Sequence, residues 1–513
     1  SSDNEMSNLP RDNSSFKSSN HYTSVKNLTE KANESLYALN QSNPAKIQKA
    51  LDFFLAVYDD PNVPSWNVWP QFLKFICGEN PPELIEQGEA LCLQFAKTYD
   101  VLKGVSNVAD LENFVQPNTL DIFLYVITNV QNIDVFAIVK RLYDLFDNQT
   151  CSQKAITLVC KAIQNSSSPT MTKAILTKLK EVVLKYVNTS GGNLIIETLV
   201  FYGSIDSTAI SAYGQSTIPE NVVAAYHALF ATNNDPNLFS LDLIISHITS
   251  EYENLREVAL EHIRRFTANT INYPLLRIVI ALFEAAIKYE SEKASLLLVR
   301  IAMNPETCLY IIKSGYLEQW MNAKPSVCIN LLKLFIACIK TNKRAKVFLF
   351  QQKTLLATFF ASVLIANDKD ADVAGCWAIS MNEMTLDFAT ALISSNFLSM
   401  LCDLITKEDK EVPKRYVHFL NVLTMIAPHV YYEKYNPVIE TLMNMIEENS
   451  PISYYCIISL AALSAHGETH DTFLNNNRIF QVMNAYTDKG ESSQYQQKLF
   501  DNLKSHRKKS HNV

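Results

Sequence analysis

A chain of 513 residues, 48% hydrophobic and 19% charged, has ample material for a core, spread over several domains or one long array. Eleven glycines, against a usual share of roughly 7%, argue against β-rich and loop-rich folds and for helices joined by short corners. A net charge of −7 argues against a dedicated nucleic-acid binder, and no apolar run reaches the roughly 20 residues of a membrane span.

The first 35 residues hold nine serines and six asparagines and predict a flexible leader with little to bury. Helical spacing starts near Leu36. Ile47, Leu51, Phe54, Leu55 and Tyr58 form one apolar stripe. Asp59-Asp60-Pro61 ends it, and Pro64 and Pro70 mark the next corner. Helices are then predicted over 84–99, 119–130, 133–146, 152–163 and 169–187, with Asn- and Ser-rich corners between them. The stretch 194–201, bracketed by Gly191-Gly192 and Gly203, fits a short helix or a strand, and its setting among helices favours a helix. Helices over 221–231, 238–248, 251–266 and 274–289 continue the series, with Pro274 at a helix start, where its missing N–H costs nothing.

From about residue 291 a corner recurs. Ile311-Ile312-Lys313-Ser314-Gly315-Tyr316-Leu317 sets two apolar residues, polar residues, a turn residue and a new apolar start in order. Copies turn at Lys353, Asn396, Asn436 and Asn477, giving steps of 38, 43, 40 and 41 residues. Glycine or asparagine at four of five fits a left-handed backbone, and a period near 40 marks stacked helical repeats. Long helices rich in Leu, Ile and Ala follow the corners, over 327–339, 373–384, 413–426 and 452–465. A last helix over 491–506, with few apolar residues, suits an end cap.

Two triplets, 306–314 with 316–322 and 327–339, and 384–395 with 397–406 and 413–426, resemble armadillo repeats. The segment 254–263 resembles the second helix of a HEAT-type repeat. The resemblance implies an all-α, armadillo/HEAT-like α-solenoid, a right-handed superhelix of stacked repeats. The expected divisions are a leader at 1–35, irregular HEAT/ARM-like repeats at 36–290, armadillo-like repeats at 291–504 and a basic flexible tail at 505–513. Nuclear-import adaptors of that family carry Trp-x-x-x-Asn along the long helices. Trp66, Trp69, Trp320 and Trp377 all lack that asparagine, which argues against an adaptor of that type.

No phosphate-cradling glycine loop, kinase signature or GxSxG elbow is present, so no catalytic residue and no cofactor are assigned. His466 and His470 are four apart, but Gly467 lies between two helices and no third ligand is evident, so no metal is assigned either. The ten cysteines lack metal or disulfide spacing. Cys77, Cys92, Cys160, Cys338, Cys376 and Cys456 lie in apolar helical runs as small hydrophobes, which points to a reducing compartment, cytoplasmic or nuclear.

The function expected is a non-catalytic scaffold or adaptor for protein partners. The resemblance implies that an extended segment binds on the concave face lined by the long helices, which makes Lys333, Lys340, Asn382 and Asn421 candidate contacts. Lys340, Lys343, Arg344 and Lys346 form a basic corner suited to an acidic or phosphorylated segment. Ser1 and the leader also fit an interdomain linker. That keeps open a second reading, the regulatory C-terminal helical-repeat region of a larger enzyme such as a protein kinase.

Overall fold

A computed structural model describes residues 25–62, 65–98, 108–129, 136–232, 235–267, 275–353, 355, 360, 381–395, 397–406, 414–427, 436–447, 452–475, 478–486 and 493–510. Helices and turns account for these residues, and no strand occurs among them. The chain divides into two compact units between Leu243 and Ile244. Contacts between helices define a unit, and the helix pair at 253–267 and 275–288 belongs to the second stack however irregular its corner.

The first unit opens with α1 (Val25–Leu39), α2 (Pro44–Val57), α3 (Ser65–Ile76) and α4 (Pro82–Thr98). The ordered chain therefore begins inside the predicted leader. Leu28, Ala32, Leu36 and Leu39 share one face of α1 and are buried, and α1 packs on α2 and α3. Four apolar side chains at helical spacing outweigh the polar composition around them. Asn43 starts α2, accepting from the backbone N–H groups of Ala45 and Lys46 while Pro44 fills the first helical position.

Pro70 lies within α3 rather than at a corner. The reason is tertiary. Phe72 joins Phe54 and Phe95 in a cluster of buried rings 5.1–5.9 Å apart, and the Trp69 indole donates to the Cys92 carbonyl at 3.1 Å. Burying two aromatic side chains is worth several times ~1.5 kcal/mol, enough to hold a helix across a proline whose interior cost is ~3 kcal/mol.

The unit continues with α5 (Leu120–Asn129), α6 (Phe136–Asp144), α7 (Ser152–Asn165), α8 (Pro169–Val182), α9 (Gly192–Phe201), α10 (Ser207–Gly214) and α11 (Pro219–Thr232). The segment between glycines is a helix, α9, as its setting predicted. Helices alternate so that α5 packs on α7, α7 on α9, and α9 on α11. Side chains tie successive layers at a near-constant interval. Gln48 bonds Gln87, Tyr186 bonds Asp147 and Tyr202 reaches the Ile163 carbonyl, each across 39 residues.

In the second unit, α12 (Leu241–Ile248) carries the boundary, followed by α13 (Glu253–Thr267), α14 (Leu275–Lys288), α15 (Glu292–Ile301), α16 (Pro305–Lys313), α17 (Leu317–Met321), α18 (Pro325–Thr341) and α19 (Lys343–Gln351). After them come α20 (Leu386–Ile393), α21 (Phe397–Thr406), α22 (Lys414–Ile426), α23 (Asn436–Glu447), α24 (Ser453–Ser464), α25 (His470–Leu474), α26 (Arg478–Ala485) and α27 (Ser493–Ser510).

Gly315 has a φ of 81°, the left-handed corner its position predicted. Glu290, with a φ of 53° before α15, makes a like corner without glycine or asparagine. Asn436 is the first residue of α23 rather than a turn, Lys353 is exposed beyond the end of α19, and Asn396 and Asn477 lie outside the described residues. So do Tyr431, Tyr432 and Tyr435, an aromatic cluster beside Pro437 in the sequence. The last helix runs to Ser510, through six residues of the predicted flexible tail.

Candidate functional site

Among the described residues, three repeats of the second unit are triplets: a first helix, a short or medium second helix after the corner, and a third helix. α16–α17–α18, α20–α21–α22 and α25–α26–α27 have this order. The third helices share one row with α13, α15 and α24. α13 packs on α15 and α15 on α18, and further along α22 packs on α24 and α24 on α27. The remaining helices form a second row, in which α14 meets α16, α16 meets α19, and α23 meets α26. These are armadillo/HEAT-type helical repeats.

The row of third helices is pinned by serine–asparagine hydrogen bonds. Asn330 Nδ2 donates to Ser295 Oγ at 2.7 Å, Ser459 Oγ to Asn421 Oδ1 at 2.6 Å, and Asn502 Nδ2 to Ser464 Oγ at 3.0 Å. The intervals are 35, 38 and 38 residues, one repeat each. Asn330 and Ser295 are buried, where an unmade bond is costly. Asn421, a candidate contact, thus spends its carbonyl oxygen on the neighbouring layer.

Beside this seam runs a partly exposed stripe. On α18 it comprises Lys333, Ala337 and Lys340, spaced to share one face. On α22 it comprises Arg415, His418, Val422 and Met425, and on α24 Tyr454, Tyr455 and Ala462. His418 stacks on Tyr455 with ring centres 5.1 Å apart, and Tyr454 meets Tyr495 of α27 edge-on at 6.5 Å. Leu296 of α15 and Met303, in the turn just after it, extend the stripe as exposed apolar side chains.

The predicted site residues fall into three groups. Lys333 and Lys340 lie together on α18, and Lys340 pairs with Glu383 at 3.8 Å, both near half exposure. Asn382, next to Glu383, is exposed. Lys343, Arg344 and Lys346 occupy the first turn of α19, the first two exposed, with Lys346 5.9 Å from the Phe350 ring. Asn342 caps that turn through Arg344 and Ala345, and its amide also donates to the Pro305 carbonyl at 2.6 Å, 37 residues away. The basic turn is therefore tied to the start of α16.

One signal escapes a motif search. Between Glu318 and Asp368 the chain has seven Lys and Arg and no Asp or Glu. α22 and α24 also lack acidic residues. Within a protein of net charge −7, three helices of this row, α18, α22 and α24, carry none of its carboxylates. Lys343 and Arg344 moreover sit at the positive end of the α19 dipole, which favours acidic side chains.

His470 faces inward, its Nε2 2.6 Å from the Ser464 carbonyl, and no group of three metal-ligating side chains occurs among the described residues. Trp320 is buried and donates to the Val327 carbonyl within its own repeat at 2.9 Å. Among the described residues no single helix is long and apolar enough to cross a membrane.

No family model matches the chain, and no curated protein matches it. Solved structures are similar at low identity. A crystal structure of Kap121p is 13% identical with a TM-score of 0.40, over 93% of this chain and 53% of that one. A structure concerning a phosphorylation switch in the cadherin–beta-catenin interaction is 11% identical, with a TM-score of 0.33, over 92% and 99%. UNC-45 from Drosophila melanogaster is 11% identical, with a TM-score of 0.32, over 98% and 82%. The chain thus spans about half the length of the Kap121p chain, at 53%.

Proposed function

We propose that the protein is a non-catalytic scaffold whose second unit binds an extended, acidic segment of a partner protein along the row of third helices. The absence of Asp and Glu from α18, α22 and α24, which present Lys333, Lys340, Arg415 and His418, carries this reading. Such a surface attracts carboxylates or phosphoryl groups at long range and excludes basic segments. Stability does not account for the basic first turn of α19, because Lys343 and Arg344 face an unfavourable dipole there.

The Lys340–Glu383 pair does not block the surface. An exposed pair of this kind is worth at most about 1 kcal/mol, so an incoming carboxylate exchanges with Glu383 at small cost. The exposed Leu296, Met303 and Met425 supply apolar contact between the charges, and the half-exposed tyrosines of α24 supply flat, rigid area. Nine described cysteines are free, consistent with a reducing compartment, the cytoplasm or nucleus.

The test uses a fluorescent, unstructured peptide rich in Asp and Glu, and a peptide of the same length with Asn and Gln in their places. Anisotropy is expected to show binding of the acidic peptide alone, weakening as salt rises. Lys333→Glu with Lys340→Glu is expected to weaken it roughly tenfold, about 1.4 kcal/mol. Equal binding of both peptides, or binding of neither, overturns the proposal.

A further inference from the structure

Cys308 of α16 and Cys338 of α18 bring their sulfurs within 2.9 Å of each other, and both residues are fully buried. They join the first and third helices of one repeat, 30 residues apart in the chain. Other buried thiols behave differently. Those of Cys160 and Cys328 are directed at the carbonyls of Leu194 and Met321. Thiol against thiol is a different arrangement. A hydrogen bond between the two thiols favours a thiolate on the accepting sulfur, while burial opposes it. Such a contact lets one sulfur carry the charge of a thiolate while the other keeps its proton.

We propose that Cys308 and Cys338 are a redox-active pair that a peroxide converts to a reversible disulfide, stapling the first helix of this repeat to its third. The Cys308 thiolate attacks one oxygen of hydrogen peroxide. The O–O bond breaks, the leaving hydroxide takes up a proton to become water, and Cys308 is left as a sulfenic acid. The Cys338 sulfur then attacks the Cys308 sulfur. The S–O bond breaks, and the departing oxygen takes the Cys338 proton and leaves as a second water. Two electrons have passed from the sulfurs to the peroxide, and a dithiol returns them.

Closing from 2.9 Å to a bond of about 2.05 Å asks little of the backbone. The closed loop contains the Gly315 corner, α17 and most of α18, so oxidation restricts the unfolded chain of one layer. Burial makes the step gated. The oxidant reaches these sulfurs only when the corner opens, so oxidation follows the local opening rate rather than thiol chemistry. The pair does not depend on the partner proposed above.

The full chain, reduced and freed of reductant, is exposed to hydrogen peroxide, its remaining thiols are blocked with a maleimide on denaturation, and its peptides are mapped without reduction. The expected product is a cross-linked peptide pair containing Cys308 and Cys338, lost on treatment with dithiothreitol. The cross-linked protein should melt higher by roughly 5 °C. Cys338→Ser should abolish the cross-link and leave Cys308 as a sulfenic acid that dimedone captures. Cys328→Ser should keep the cross-link. Recovery of both cysteines as maleimide adducts after peroxide, or pairing of either with another cysteine, overturns the proposal. The mapping is done on the unaltered chain, so it decides the matter even if Cys338→Ser does not fold.

Discussion

A methyl group added at Gly315 would meet nothing within 4 Å, yet the backbone there has a φ of 81°. Gly315→Ala is therefore a pure test of backbone handedness, expected to cost about 1 kcal/mol, and Gly315→Asn less. Gly192 is the opposite case. A Cβ there would lie 2.5 Å from the Tyr186 carbonyl oxygen and 3.0 Å from Asn221 Nδ2. That amide cannot yield, because it donates to the Val187 and Thr189 carbonyls while its oxygen accepts from Asn193. Gly192→Ala should cost about 3 kcal/mol. Urea midpoints at unchanged slope would rank the variants, and a Gly315→Ala cost equal to that of Gly192→Ala would refute the distinction. His247 gives a pH-dependent case. Burial holds its pKa down at about 4, against an ordinary 6.5. Between these values the unfolded chain binds a proton that the folded one refuses, so stability falls as pH drops through that window. Glu261, held at about 2 chiefly by its hydrogen bond to Arg264, acts mostly at lower pH. Unfolding followed from pH 7 to pH 4 should show a decline that His247→Gln flattens.

The helices themselves were largely readable, and the reasons for the misses are specific. Ile47, Leu51 and Phe54 announce α2 and are buried as their spacing requires. The same spacing at Leu28, Ala32, Leu36 and Leu39 was hidden by averaging composition over a longer polar stretch. Pro70 misled because a local rule lost to the burial of Trp69 and Phe72. At the site, Lys333 and Lys340 could be placed on one helical face from sequence, but the seam beside them could not. Whether Asn330 meets Ser295, or Cys338 meets Cys308, depends on how layers stack, and a gap of some 30 residues says nothing of that by itself. The seam makes its own prediction. Asn330→Ala removes the donor to a Ser295 oxygen that is buried, and Ser295→Ala removes the acceptor. Each should cost 1–2 kcal/mol, roughly, and the double variant about 1 kcal/mol less than their sum. Strict additivity would mean the two side chains are not coupled, and the seam would then be incidental.

Layers that touch only their neighbours give a chain whose stability is a sum of local terms, each layer's own and each interface's. In the second unit the hydrogen bonds spaced one repeat apart are those interface terms, from Ser295–Asn330 at one end to Ser464–Asn502 at the other. A perturbation should therefore travel about one layer and stop. Asn502 lies on α27, whose polar sequence closes the described stack after α24. Asn502→Ala leaves that helix held by Leu499 and Leu503, both buried, without its polar link to Ser464. Amide hydrogen exchange in this variant should quicken across α27 and on α24, by a factor of roughly 5–10 if the link is worth about 1 kcal/mol. Exchange in α15 and α18 should remain as in the unaltered protein. Acceleration spread evenly from α13 to α27 would show that the second unit opens as one body, and the layer-by-layer account would fail. The same locality bears on the proposed binding surface. Because the three helices without acidic residues, α18, α22 and α24, lie in separate layers, charge reversal on one of them should weaken an extended acidic ligand without distorting the others, and reversals on α18 and on α22 should add in free energy.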